Sequence, residues 1–190
     1  AACVPEEAGG LGMPLVAAVA IAEEAGKAAF PSPLISTMIA SFVLKECHSD
    51  AATKALGDVA SGVPMTLAVT NKLGSWEPSD TDVAAAGTTL NGTAYFVQDA
   101  QKCDQFIVSA TTPKGVALFL VDANAAGVSI TPDGIIDLTR DQAHVEFKNV
   151  EAIELAAPGT GEDSLASALP AIQTIITADM VGAGDRKSVV

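Results

Sequence analysis

The side chains that could do chemistry are few. His48 and His144 could each move a proton or hold a metal ion. Neither has a second ligand at metal-binding spacing. His48 precedes a helix start and reads as a solvent-facing loop residue. His144 alternates with Val145 and shares its side with Glu146 and Lys148, which is the polar face of a strand. Cys3, Cys47 and Cys103 are odd in number, far apart and without a CxxC pair, so they read as reduced, partly buried thiols. Glu146, Glu151 and Glu154 read as surface charges. P-loop, GxGxxG, GxSxG and HExxH patterns are all missing from the sequence. Residue types and spacing therefore identify no catalytic dyad and no metal site.

The elements that would position a site must come from a chain of 190 residues, enough for one domain or two small ones. It is 49% apolar but only 4% aromatic, so its interior is built of small pieces that favour close helix–helix approach. The net charge of -13, with 10 scattered Lys and Arg, argues against nucleic acid and against an anionic membrane surface. The apolar run Pro14 to Ala22 ends at Glu23-Glu24, about half the length of a membrane span. No signal peptide is visible, so the expected setting is cytoplasmic, without a membrane span.

The first third reads as helices. Met13-Pro14 opens one that runs to about Ala28 with little wet face. Ser32-Pro33 opens a second, with Leu34, Met38, Phe42 and Val43 as its stripe, and Ser49-Asp50 caps a third that Gly62 stops. The pattern then turns β-rich. Met65 to Thr70 is a short apolar run after Pro64. Thr88 to Val97 carries Asn91-Gly92, a type I′ hairpin signal. Gln105 to Ala110, Val116 to Val121, Val128 to Thr131, Ala143 to Phe147 and Ile153 to Leu155 follow, with turns at Pro113-Lys114-Gly115 and Pro132-Asp133-Gly134. Strands at this spacing without intervening helices predict an antiparallel barrel or sandwich. Helical character returns at Asp163-Ser164, with Leu165, Leu169, Ile172, Ile176 and Met180 as one stripe and Pro170 as a kink or first-turn residue. This last helix has no obvious partner. The expected class is α+β: partial N-terminal helical domain at 1–62, middle β-barrel domain at 63–158, and start of a C-terminal helical bundle at 159–190.

Several segments in this order resemble the acyl-CoA dehydrogenase family. Pro5-Glu6-Glu7-Ala8-Gly9-Gly10-Leu11-Gly12 is similar to its Pro-Glu-x-x-Gly-Gly-x-Gly segment, and Ala22-Glu23-Glu24-Ala25-Gly26 to its Ala-Glu-Glu-Leu-Gly helix end. Leu90-Asn91-Gly92 with Tyr95-Phe96-Val97 resembles the hairpin leading to the flavin strand. Thr139-Arg140 followed by Val145-Glu146-Phe147-Lys148-Asn149-Val150 resembles its Thr-Arg and Val-x-Phe-x-x-Val.

The resemblance implies FAD. The family's strand beside the isoalloxazine ring matches Leu67, Ala68, Val69 and Thr70. Its pyrophosphate loop, Thr-Glu-Pro-x-x-Gly-Ser-Asp, matches Thr70-Asn71-Lys72-Leu73-Gly74-Ser75-Trp76 at Gly74 and Ser75, without the Glu-Pro pair or the aspartate. Backbone N–H groups and a hydroxyl suit such an anion, although Gly74-Ser75 also suits an ordinary surface turn. Phe96 falls at the aromatic position against the ring, or else in plain barrel core. Gln98 falls where the family has a Thr or Ser near N5. Trp76 either covers a ligand or fills a gap.

The resemblance further implies α,β-dehydrogenation of an acyl-CoA thioester, as in fatty acid β-oxidation, with electrons passed to an electron-transfer flavoprotein. The family's glutamate base belongs to a C-terminal helical domain beyond this chain, so no catalytic residue is carried over. Glu162 is the nearest acid, at an ordinary helix start. The complete protein is expected to be a FAD-dependent oxidoreductase, this chain being inactive alone. The alternative is a non-catalytic interaction subunit of a heteromeric dehydrogenase, favoured by Asn71, Lys72, Trp76 and Gln98. A third reading is a small barrel for acyl or other hydrophobic ligands without redox chemistry. Apolar helix faces predict a homo- or hetero-oligomer.

Overall fold

The computed structural model describes residues 1–137 and 139–187. Three helices lead: α1 (Leu15–Lys27), α2 (Leu34–Glu46) and α3 (Asp50–Ala60). Ser49 caps α3 as expected. Its Oγ accepts from Ala52 N at 3.1 Å, and donates at 2.7 Å to the carbonyl of Leu155. The buried part of α2 is wider than the expected stripe. Ile35, Ser36 and a continuous run from Ile39 to Leu44 are buried, because α2 lies between the other helices and the sheet.

Eight strands follow: β1 (Met65–Ala68), β2 (Val83–Ala86), β3 (Thr89–Gln98), β4 (Gln105–Thr112), β5 (Gly115–Asp122), β6 (Val128–Pro132), β7 (Gln142–Glu151) and β8 (Ile153–Ala156). They form one mixed sheet in the order β6-β7-β3-β2-β4-β5-β8, with β1 also on β4. The α+β class is as expected, but the barrel is looser than a closed antiparallel one. The sheet is open, and β1 and β2 both run parallel to β4, sharing its edge end to end at Gln105–Val108 and Thr111. β4 and β5 bury both faces. Ile107, Leu118 and Leu120 meet the helices, while Phe106, Val108, Phe119 and Val121 join Phe147 in a second core on the sheet's other side.

The hairpin turn is not at Asn91-Gly92. Ala86 pairs with Thr89, so Gly87 (φ +63) and Thr88 make the turn, and Asn91-Gly92 lies inside β3. Gly92 has φ +137, and a Cβ there would collide with the Asp82 carbonyl. Asn91 Oδ1 accepts from Asn149 N at 2.9 Å, where β3 and β7 slip register. The Asn-Gly signal marks a bulge and a close approach.

The last helix, α4 (Gly161–Lys187), folds back onto α1 and α2. By length and composition it could cross a bilayer, but it is the bundle partner of α1. Its buried face is Ser164, Leu165, Ala168, Ile172, Ile175, Ala178 and Gly182. Leu169 and Met180, in the expected stripe, are 39% and 67% exposed. Pro170 sits inside the helix on its exposed side. A Cβ on Gly182 would collide with the Glu23 carbonyl, and one on Gly26 with the Asp179 carbonyl. The two backbones therefore touch, and α1 and α4 bury part of each other's apolar surface, while Val16, Leu169, Met180 and Val181 stay exposed.

Candidate functional site

Where β1 ends, the chain makes a cleft of about 320 Å³. Leu67 and Thr70 line it from β1 and its exit, Ile35 and Ile39 from α2, Ile176 from α4, Phe96 from β3, and Trp76 from the loop after β1. The wall is mostly apolar, which suits a ligand with an apolar body.

Phe96 is held there by a bulge. Ala94 pairs with Val145 and Val97 with Ala143, leaving Tyr95 and Phe96 opposite His144 alone. Phe96 has φ +54 and is 42% exposed. An aromatic residue in the left-handed region is strained, and such strain gathers at sites where a side chain must be aimed. Tyr95 turns the other way. Its N–H donates to Thr70 O at 2.9 Å and its ring stacks on His144 with centroids 6.0 Å apart.

The polar end of the cleft is already engaged. Gln98 Nε2 donates to Gln142 Oε1 at 2.8 Å. The Gln142 amide reaches Asp133 Oδ2 at 3.2 Å, and His144 Nδ1 lies 3.2 Å from Asp133 Oδ1. His144 is thus partnered rather than simply wet. Asp99 is buried and accepts from Ser36 Oγ at 2.6 Å, joining the sheet to α2. Burial pushes its carboxyl above the usual range, against the pull of Ser36 and Lys102. Arg140 Nη2 donates to both carboxylate oxygens of Asp179, at 2.8 and 2.6 Å, and so joins the β7 approach to α4. Two of the thiols are poor nucleophiles: burial raises Cys47 to about 11 and pushes Cys103 up further. Among the described residues, no group of His, Cys, Asp and Glu could hold a metal ion.

The loop after β1 closes on itself. Asn71 Oδ1 accepts from Leu73 N and Ser75 N, both at 2.9 Å, and Asn71 Nδ2 donates to Asp80 O at 3.1 Å. Gly74 N donates to Asn71 O at 3.0 Å. Lys72 N donates to Asp82 Oδ2 at 2.8 Å, and Ser75 Oγ to Asp80 Oδ2 at 2.7 Å. Ser75 Oγ in turn accepts from Glu77 N at 3.2 Å.

No family model matches the chain, and no curated protein matches it by sequence. Solved structures do. A variant of the Tcur3481-Tcur3483 steroid acyl-CoA dehydrogenase is 28% identical at TM-score 0.79, over 95% of this chain and 49% of its own. The ChsE4-ChsE5 complex from Mycobacterium tuberculosis is 26% identical at TM-score 0.81, over 96% and 50%. Butyryl-CoA dehydrogenase from Megasphaera elsdenii is 18% identical at TM-score 0.82, over 95% and 53%. The chain has the acyl-CoA dehydrogenase fold. It spans about half the length of the dehydrogenases it matches, and flavoproteins are among the further matches.

On that fold, the residues expected beside a flavin divide into two groups. Leu67, Thr70, Phe96 and Gln98 converge on the cleft. Val69 instead faces a smaller cavity of about 170 Å³ with Trp76, Pro78, Leu165, Leu169 and Ile172. Gly74 and Ser75 lie outside both cavities, although Gly74 approaches the Phe96 ring, at 4.0 Å from where its Cβ would be. The loop that should hold the FAD diphosphate does not fit it: the Lys72 N–H is spent on the Asp82 carboxylate, those of Leu73, Gly74 and Ser75 on Asn71, and the Ser75 hydroxyl on the Asp80 carboxylate. Sequence reasoning did not anticipate Ser36, Asp99, Asp179, Asp80 or Asp82 as partners. The one local signal was Asn71, a residue whose side chain readily bonds the backbone two residues on.

Proposed function

We propose that this chain is a non-catalytic subunit of a heteromeric acyl-CoA dehydrogenase. It keeps the fold and the ring-side cleft but leaves the FAD diphosphate to a partner chain. The observation that carries this is the loop after β1, in which the N–H groups of Lys72, Leu73, Gly74, Ser75 and Glu77 already bond groups of the chain itself. Two matched structures are named as pairs of chains, which supports a heteromer. The assembly as a whole would oxidise an acyl-CoA thioester at its α,β-carbons and pass electrons to an electron-transfer flavoprotein.

The test is flavin content and partnership together. Purified alone, the chain should be colourless and inactive on acyl-CoA. Co-expressed with its genomic neighbours, it should co-purify with a second dehydrogenase-fold chain in a yellow, active complex holding flavin for only one chain of each pair. A single-chain preparation that is yellow, with stoichiometric FAD and acyl-CoA oxidation, would establish the alternative, a self-sufficient flavoenzyme.

A further inference from the structure

The loop after β1 does more than lack a Glu-Pro pair and an aspartate. Its amides and hydroxyl are arranged as an anion cradle, and the protein supplies the anions itself. We propose that the Asp82 and Asp80 carboxylates occupy the seat that an external diphosphate would take, so that these two residues, with Asn71, make the loop exclude anions. The inference rests on the subunit reading above and deepens it by naming the residues that decide specificity.

Three observations carry it. The first is geometric: the Asp82 carboxylate bonds Lys72 N at 2.8 Å and the Asp80 carboxylate bonds Ser75 Oγ at 2.7 Å, the backbone and hydroxyl donors that suit a phosphate oxygen. The second is that Asn71, itself buried, takes three further donors: Leu73 N and Ser75 N through its side-chain oxygen and Gly74 N through its main-chain carbonyl. The third is electrostatic: an incoming diphosphate would have to displace one carboxylate and lie against the other, in a chain of net charge -13. Like charges at contact repel each other, more strongly near a protein surface than in bulk water. Asp82 is also held by the backbone. Its carbonyl abuts Gly92, where any Cβ would collide, so the approach to β2 is fixed against β3.

The experiment compares the wild-type chain with D80A/D82A, titrated with inorganic pyrophosphate and followed through the amide resonances of Lys72, Leu73 and Ser75. The wild type should show no saturable shift. The double variant should gain saturable binding, at least tenfold tighter, which corresponds to roughly 1.4 kcal/mol. Saturable binding by the wild type with unchanged affinity in the variant would overturn the proposal, as would a folded variant that gains none. D80N/D82N, which keeps the hydrogen-bonding shape but removes charge, separates occupancy from repulsion: a gain smaller than that of D80A/D82A is expected. Thermal melts confirm that each variant folds. The outcome is independent of the subunit reading, which fails separately if the chain alone carries FAD.

Discussion

Among the described residues, Asp99 is the one acid buried from water. Its carboxyl, ordinarily at 3.8, is raised first by burial, with Asp141 adding and Ser36 and Lys102 opposing. The folded chain therefore holds this proton at pH values where the unfolded chain has lost it. The stability that Asp99 contributes is fully present below 3.8 and is lost as pH rises through the folded value. Asp99→Asn keeps an acceptor for Ser36 Oγ but does not ionise. In urea unfolding at a series of pH values, the stability of this variant relative to wild type should improve as pH rises above 3.8. A relative loss over that window would mean that Lys102, not burial, governs the group. The same residue shows the reach of sequence reading at this scale. The resemblance to acyl-CoA dehydrogenases singles out Leu67, Thr70, Phe96 and Gln98, and all four line the one cleft. Ser36 could not be linked to Asp99, since 63 residues separate them.

At the scale of elements, α1 and α4 carry the clearest lesson. Their contact is made by Ala18, Ala22 and Gly26 against a face that includes Ala178 and Gly182. Hydrophobic periodicity weights large side chains, so it selected Leu169 and Met180, which are exposed, and passed over the small residues that make the contact. Backbone approach at this distance is possible only without a Cβ. Two glycines two residues apart, on opposite sides of α4, therefore behave oppositely. Gly182→Ala should destabilise the fold by about 1–3 kcal/mol through overpacking against Glu23. Gly184→Ala, with nothing near its Cβ, should stabilise it by about 0.5–1 kcal/mol through helix propensity. Thermal or chemical denaturation reads both, and equal effects would refute the close crossing. The Asn91-Gly92 segment errs for a related reason. The dipeptide does favour positive φ, but Gly92 uses that freedom to pass Asp82 within β3 rather than to reverse the chain.

At the scale of the whole molecule, helices and sheet are joined by few polar ties: Ser36 to Asp99, Ser49 to Leu155 O, Thr37 to Met65 N, and Arg140 to Asp179. The last is the ion pair among them, with side chains 25% and 16% exposed, so it is only partly screened. A double-mutant cycle of Arg140→Gln and Asp179→Asn should give a coupling of about 1–3 kcal/mol in thermal unfolding. Coupling near zero would show that packing alone holds α4 over the cleft.

The sequence by itself determined the α+β class, the order of helices, strands and helix, most element positions, the Ser49 cap and the likeness to acyl-CoA dehydrogenases. These depend on local propensity, turn residues and short motifs, each legible within a few positions. Tertiary structure alone decided the open, mixed sheet, the α1–α4 crossing and the fate of the flavin loop. Each depends on groups distant in sequence, or on backbone atoms that carry no residue code. The loop makes the physical reason plain: Gly74 and Ser75 look the same in sequence whether their neighbourhood is open to a phosphate or closed by Asn71, Asp80 and Asp82.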